Sequence, residues 1–550
     1  MKQPASAAVF CRLTLLVVAL WVHDVAAIDS LEKYASFIQS MSQDPTFLRD
    51  YNQYTDLRLR LENEKFPNGN PVTGEPGFSC PSEGGHSKQP SASVHSLRPN
   101  DVKVVAAMGD SLTAALGAGA QTLLEMLLEY RGLSFPIGGD SDLKYSATLP
   151  NVLHKFNPQL VGASRRVSPV WLEYFSQLNV AVSGARAVNM TDQADELVKR
   201  IRESPEINLN NDWKVLTLFI GSNDLCHACE DDTPFTPEEY YDHINSALSV
   251  LYNQLPRTFV NLLGVEHVNL LKEVSQVNAY CQRMHKKACP CMQNVELDPV
   301  VAKYQAMAQK LADNFNSNNR QDFVVVVQPF LEKAQIVKTS TGEPDYSFFA
   351  PDCFHFSHYG HALAAKALWN NMLQPVAQKA TSLDAQTISM QCPASSCPLL
   401  RTPKNSGVGS CDRYFNPANF VTGSPLKSDT QPKKQTKPAT PNQSAIDSDL
   451  KKMLDRNRPV AEQSAKLTLQ FPPEMTVELA SAEVKKATKF GFTTLGICIG
   501  ILVGVIIAGC LWCVYQRRQR NARQDAQLDA RRANEKTPLL SDTHDMVQVY

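Results

Sequence analysis

The sequence predicts an α/β domain with a mainly parallel, five-stranded sheet covered by helices on both faces. Three observations carry that expectation. Between Asp101 and about Ala380, short β-branched runs alternate five times with amphipathic stretches. The runs are nearly continuous in apolar character, as strands buried on both faces must be. No internal repeat is present, so the alternation describes one domain rather than an array.

In chain order, residues 1–27 carry Lys2 and Arg12, an apolar run from Leu13 to Val22, and small residues ending in Val25-Ala26-Ala27. This is the order of a secretory signal peptide cleaved after Ala27. Residues 28–100 are expected to be a helical pro-region or cap followed by a linker. Apolar and charged residues recur at roughly helical spacing over 30–62, and Pro67 to Pro99 is rich in Gly, Pro and Ser. The α/β domain is expected over 101–400. Its strands are Val102 to Ala107, Asn179 to Val182, Trp213 to Ile220, Thr258 to Gly264 and Phe323 to Gln328. Helices are expected near 112–131, 191–204, 236–255, 299–316 and 358–379. The text "SPLKSDTQPKKQTKPATPNQSA" offers almost nothing to bury, so 401–489 reads as an extended stalk. Residues 490–515 hold no charge over 26 positions and are followed by Arg517, Arg518, Arg520 and Arg523, as expected of one transmembrane helix. Residues 516–550 would be a cytoplasmic tail. Lys485, Lys486 and Lys489 weaken the charge asymmetry, so the type I orientation rests on the signal peptide.

The formal net charge of −1 speaks against a nucleic-acid partner. Of 14 cysteines, Cys11 lies in the signal and Cys498, Cys510 and Cys513 in the span. The ten left in an oxidising compartment read as disulfides, with connectivity open. Cys226-His-Ala-Cys229 and Cys289-Pro-Cys291 resemble zinc ligands, but the secreted context and the lack of a second matched CxxC argue against a metal.

In such a sheet, ligands collect beyond the carboxyl ends of the strands. "AAMGDSLTAALG" places Ser111 there, where a helix N-terminus supplies N–H groups for an oxyanion. Alone, Gly-Asp-Ser is equally a turn. A serine nucleophile needs a base and the base an orienter, and "APDCFHFSHYGHALAAKALW" offers Asp352 three residues before His355. His358 and His361, three residues apart in or near the following helix, read as structural. Gly184 in "NVAVSGARA" and Asn223 in "LTLFIGSNDLC" stand at two further strand ends, where a bare backbone N–H and an amide can donate.

These blocks resemble the GDSL (SGNH) hydrolases, and in particular their phospholipase B-like branch. The resemblance covers roughly 90–400 and includes "TLPNVLHKFNP", "QLPRTFVNLLG" and "DFVVVVQPF". It implies an SGNH-hydrolase-like three-layer fold with Ser111 as nucleophile, His355 as base and Asp352 as its orienter. Ser111, Gly184 and Asn223 would form the oxyanion hole. No metal or other cofactor is implied. The implied substrates are phospholipids and lysophospholipids, with retinyl and acylglycerol esters as further candidates, cleaved beside the bilayer in which the span sits. The G-x-S-x-G elbow of a competing hydrolase fold does not occur. Two rival functions fit less well: an esterase or transferase for sugar O-acyl groups, and a binding or sorting protein without activity. Better-known members of the branch carry several tandem domains, whereas this chain carries one.

Three further motifs complete the reading. Asn189-Met-Thr and Asn442-Gln-Ser are N-glycan acceptors. Glu535, Leu539 and Leu540 in "EKTPLL" resemble an acidic dileucine signal, which implies an endocytic adaptor as partner and a plasma-membrane or endo-lysosomal location. Cys510 and Cys513 lie near the inner boundary, where palmitoylation occurs.

Overall fold

The computed structural model describes residues 43–421 apart from 67–72, 84, 90, 171, 231–234 and 294–295. The expected signal peptide, transmembrane helix and tail, most of the expected stalk, Asn442, and the Glu535/Leu539/Leu540 motif lie outside the described residues. Among the described residues no helix is long and apolar enough to cross a membrane.

The described strands are β1 (His86–Ser87), β2 (Val102–Gly109), β3 (Trp213–Phe219), β4 (Thr258–Leu263), β5 (Phe323–Gln328) and β6 (Phe420–Val421). Strands β2-β3-β4-β5, in that order, form a parallel sheet. Alternate residues serve opposite faces. Ala106, Leu216, Val260 and Val325 join one buried cluster, while Val105, Val215, Phe259 and Val324 join the other. Both faces are therefore apolar, and the strands read as continuous runs.

The described helices that position the site are α1 (Pro45–Lys65), α2 (Ser111–Ala114), α3 (Leu149–Phe156), α4 (Met190–Glu203), α5 (Ser222–Cys226), α6 (Pro237–Gln254), α7 (Leu271–Val277), α8 (Ala279–Ala288), α9 (Asp298–Ser317) and α10 (His358–Leu373). Helices α4, α6 and α9 cover the first face through Leu197, Leu248 and Leu311. Helices α3 and α10 cover the second through Leu153 and Trp369. A third cluster joins Phe47 and Tyr54 of α1 to Tyr280 and Met284 of α8 and to Phe349 and Cys353.

Four differences from the sequence reading have physical causes. The sheet has four strands, not five. Residues 178–182 do run beside β2, with Ala107 N–H donating to Leu178 O and Val180 and Val182 N–H donating to Ala107 O and Gly109 O. However, Gly109 N–H donates to Gln193 Oε1 and Val105 N–H to Val161 O, which interrupts the ladder on both sides. The helix expected over 112–131 is one turn long, because Ala115 turns left-handed at φ 56° and ends it. The helical part of the N-terminal segment is α1, and the stretch expected to be a linker is packed on the domain. There Val94 and Leu97 are buried, Trp213 Nε1–H donates to Ser91 O, and Cys80 bonds Cys392. The fold also runs past 400. Thr402 and Asn405 are buried against His95, Cys397 bonds Cys411, and β6 pairs antiparallel with β1.

The remaining disulfides are Cys226–Cys289, Cys229–Cys291 and Cys281–Cys353, so all ten cysteines of the expected ectodomain are paired. The CxxC and CPC motifs thus bond each other as two parallel bridges.

Candidate active site

Strand β2 delivers the serine. Asp110 is the N-cap of α2, with Oδ1 accepting from Leu112 N–H at 2.9 Å, and Ser111 is the helix's first residue. Its backbone N–H therefore has no intrahelical acceptor and faces outward with the positive end of the turn. Gln193 of α4 fixes the residue before the cap: its Oε1 accepts from Gly109 N–H and its Nε2–H donates to Gly109 O, at 2.9 and 2.8 Å.

The loop before α10 delivers the histidine. His355 Nε2 lies 2.8 Å from Ser111 Oγ, and His355 Nδ1 lies 2.6 Å from Asp352 Oδ2. The other carboxylate oxygen, Oδ1, accepts from Phe354 and His355 N–H at 3.1 and 3.0 Å. Asp352 thus holds the ring and the backbone that carries it. Burial disfavours both charged forms, yet the pair overcomes it. Asp352 lifts the imidazole above the ordinary histidine value, while His355 and the two N–H donors hold the carboxyl below the ordinary carboxylate value. Neutral at Nε2 and hydrogen-bonded at Nδ1, the ring can accept the serine proton.

Two candidate oxyanion donors come from a loop and the first turn of α5, which are tied together. Gly184 stands at φ +81°, a region that glycine reaches without strain, and a Cβ there would meet open space. Asn223 Nδ2–H donates to the next carbonyl, Ala185 O, at 2.9 Å and lies 3.5 Å from Asp110 Oδ2. Both carboxylate oxygens of Asp224 accept from Ala187 N–H at 3.1 Å. Helix α5 thereby sets the Gly184 loop against the serine's own N-cap.

The other histidines of the segment are held elsewhere. His358 Nε2 meets Thr73 Oγ1 and Ser146 Oγ, and burial pushes its pKa down to about 4. His361 Nδ1 accepts from Phe135 N–H, and burial, with His358 and His355 nearby, pushes it down to about 3. Asn189 is exposed, and its Oδ1 accepts from Arg186 N–H.

Sequence reasoning passed over two carboxylates behind the site, Asp224 and Glu266, while Asp110 reads from sequence as a residue that fixes the turn. Asp110 is pushed up to about 7 by burial, with Glu266 and Asp224 adding to the effect, and Asp224 is also pushed up to about 7 by burial. Glu266 Oε1 accepts from Ser222 Oγ–H at 2.7 Å. Asp224 directly follows Asn223, so its signal was present; Glu266 gave none. Among the described residues no cluster of His, Cys, Asp or Glu has the makings of a metal site.

Residues 105–368, from within β2 to within α10, match the family model described as GDSL-like lipase/acylhydrolase. The chain carries a GDSL-like lipase/acylhydrolase domain. By family this GDSL-like domain is a carboxylic ester hydrolase domain. Membrane-associated phospholipase B1 from Homo sapiens is 40% identical to it over 395 residues, 68% of this chain and 26% of the relative. The Mus musculus protein of that name is 40% identical over 346 residues, 60% of this chain and 23% of its own. The chain thus spans about a quarter of the length of these curated relatives. A solved carbohydrate esterase is 13% identical, covering 48% of this chain and 66% of its own with a TM-score of 0.23, and decides nothing about substrate.

Proposed function

We propose that the protein is a membrane-anchored serine esterase of the secretory pathway that hydrolyses acyl esters of glycerophospholipids and lysophospholipids. The observation that carries this reading is the continuous contact from Ser111 Oγ through His355 to Asp352, at 2.8 and 2.6 Å. The name of the relatives at 40% identity supports the lipid substrate. Sequence alone supports the anchoring, through the apolar run at 490–515 and the N-terminal signal.

In this reading Ser111 Oγ attacks the ester carbonyl carbon as its proton passes to His355 Nε2. The carbonyl oxygen becomes an oxyanion, received by the N–H groups of Ser111 and Gly184 and the amide of Asn223. Each such donor contributes roughly 3–4 kcal/mol at comparable sites. Collapse expels the glycerol oxygen, which takes the proton from His355 and leaves an acyl-enzyme on Ser111. Water then attacks with His355 again as base, and the fatty acid is released. Glycans at Asn189 and Asn442, an endocytic adaptor at Glu535/Leu539/Leu540, and an endo-lysosomal or plasma-membrane location belong to the same proposal.

The test uses the full-length chain in membranes, a fluorophosphonate probe, and a panel of phosphatidylcholine, lysophosphatidylcholine, retinyl, acylglycerol and O-acetyl sugar esters. Labelling confined to Ser111 and fatty-acid release abolished by Ser111→Ala are expected. Undiminished release by Ser111→Ala overturns the site. Acetate release from sugars without fatty-acid release overturns the lipid substrate.

A further inference from the structure

The segment that carries Asp352 and His355 is irregular backbone, and three buried side chains hold its carbonyls in succession. Tyr54 Oη–H on α1 donates to Ala350 O at 3.1 Å, and Tyr280 Oη–H on α8 donates to Pro351 O at 2.5 Å. His285 Nε2–H donates to Cys353 O at 2.7 Å, with His285 Nδ1 accepting from Ser275 Oγ–H. Cys353 stands at φ 59°, which a non-glycine residue keeps only where its surroundings hold it, and it is bonded to Cys281 on α8. Ala350 N–H donates to His355 O at 2.8 Å, so a shift at 350 is felt at the histidine.

The two tyrosines also form one stack. Their ring centroids are 4.7 Å apart, and Phe47 and Tyr51 of α1 lie 5.6 and 5.5 Å from the Tyr280 ring. Arg283 of α8 pairs with Asp44 and Asp50 at the start of α1. Helices α1 and α8 are thus bound to each other as well as to the loop.

We infer that Tyr54 and Tyr280 are positioning residues for the ester hydrolysis, setting Asp352 against His355, and the histidine against Ser111, through the carbonyls of Ala350 and Pro351. This rests on the triad reading above. It assigns the N-terminal helix, which lies outside the matched family region, a part in catalysis.

The experiment measures lysophosphatidylcholine hydrolysis against pH in full-length Tyr54→Phe, Tyr280→Phe and the double variant. Phenylalanine keeps the stack and removes only the hydroxyl. Expected is a fall in kcat of about tenfold for Tyr280→Phe and about a hundredfold for the double variant, the scale of an ångström misplacement, with KM within twofold. The acid limb of the profile should also move to lower pH. Asp352 is what lifts His355 against the effect of burial, so loosening the pair lowers the midpoint. A fall in kcat with the midpoint unmoved reports only a smaller folded fraction and overturns the inference, as does a kcat within twofold of the parent's. If Tyr280→Phe is not expressed, Tyr54→Phe, which reaches the loop from the other helix, carries the same test. Ser111→Ala run in parallel separates the two ideas: if it stays active the triad reading fails, and if it is dead while the tyrosine variants are unaffected only the brace fails.

Discussion

At Asp352, one carboxylate has two tasks that a single substitution separates. Asp352→Asn keeps an Oδ1 able to accept from the Phe354 and His355 N–H groups, but its amide cannot hold the Nδ1–H tautomer. In the triad reading kcat should fall by about 10⁴-fold with little change in melting temperature, read by steady-state kinetics beside calorimetry. The pH profile follows from the same groups. His355 must be neutral to accept a proton, so activity should fall as pH drops through its raised value. Asp352 is the charge facing it that does most to raise it; Asp110 adds only while ionised, which its own upward shift to about 7 limits on the acid side, and His361 is neutral at these pH values. Asp110→Asn preserves an N-cap oxygen while removing that smaller contribution. Its acid limb should therefore lie at or slightly below the parent's pH; a limb at higher pH would refute this electrostatic account.

Among the elements, the buried strands and long helices were legible because periodicity and burial agree. Residues Phe323–Gln328 were read at both ends, and 191–204, 236–255 and 299–316 within a residue or so of α4, α6 and α9. The one-turn α2 was not legible, since alanines favour a longer helix and only tertiary packing places Ala115 left-handed. Ser111, Asp352 and His355 could be read from local motifs. Gln193, Tyr54 and Tyr280 could not, because their partners lie across the fold. The parallel bridges Cys226–Cys289 and Cys229–Cys291 yield a prediction of their own. Either bridge alone closes a loop of about 63 residues, worth about 4 kcal/mol on the chain-entropy model. With one in place, the second closes only a short ring, worth about 2 kcal/mol. Losing either bridge should cost about 2 kcal/mol, and losing both about 6, read by chemical denaturation of the serine-paired variants. A double loss equal to the sum of the two single losses would contradict that coupling.

For the molecule as a whole, both flanks of the sheet region are structural. A soluble chain ended at residue 400 forfeits the Cys397–Cys411 bridge, the Thr402 and Asn405 contacts to His95, and the β1–β6 pairing. It should be secreted less well and melt several degrees below one ended at residue 421, and identical melting would show this collar to be dispensable. Composition could not reveal it, because Gly-, Pro- and Ser-rich text reads the same whether it hangs free or is pinned by a cysteine at each end. The separation of 244 positions from Ser111 to His355 has a consequence in time. In the triad reading the serine is made well before its base, so a ribosome that stalls anywhere between them leaves a fragment with no base for its serine. Chains cut short in that interval would then be unable to act on the cell's own lipids, by the order of the residues alone.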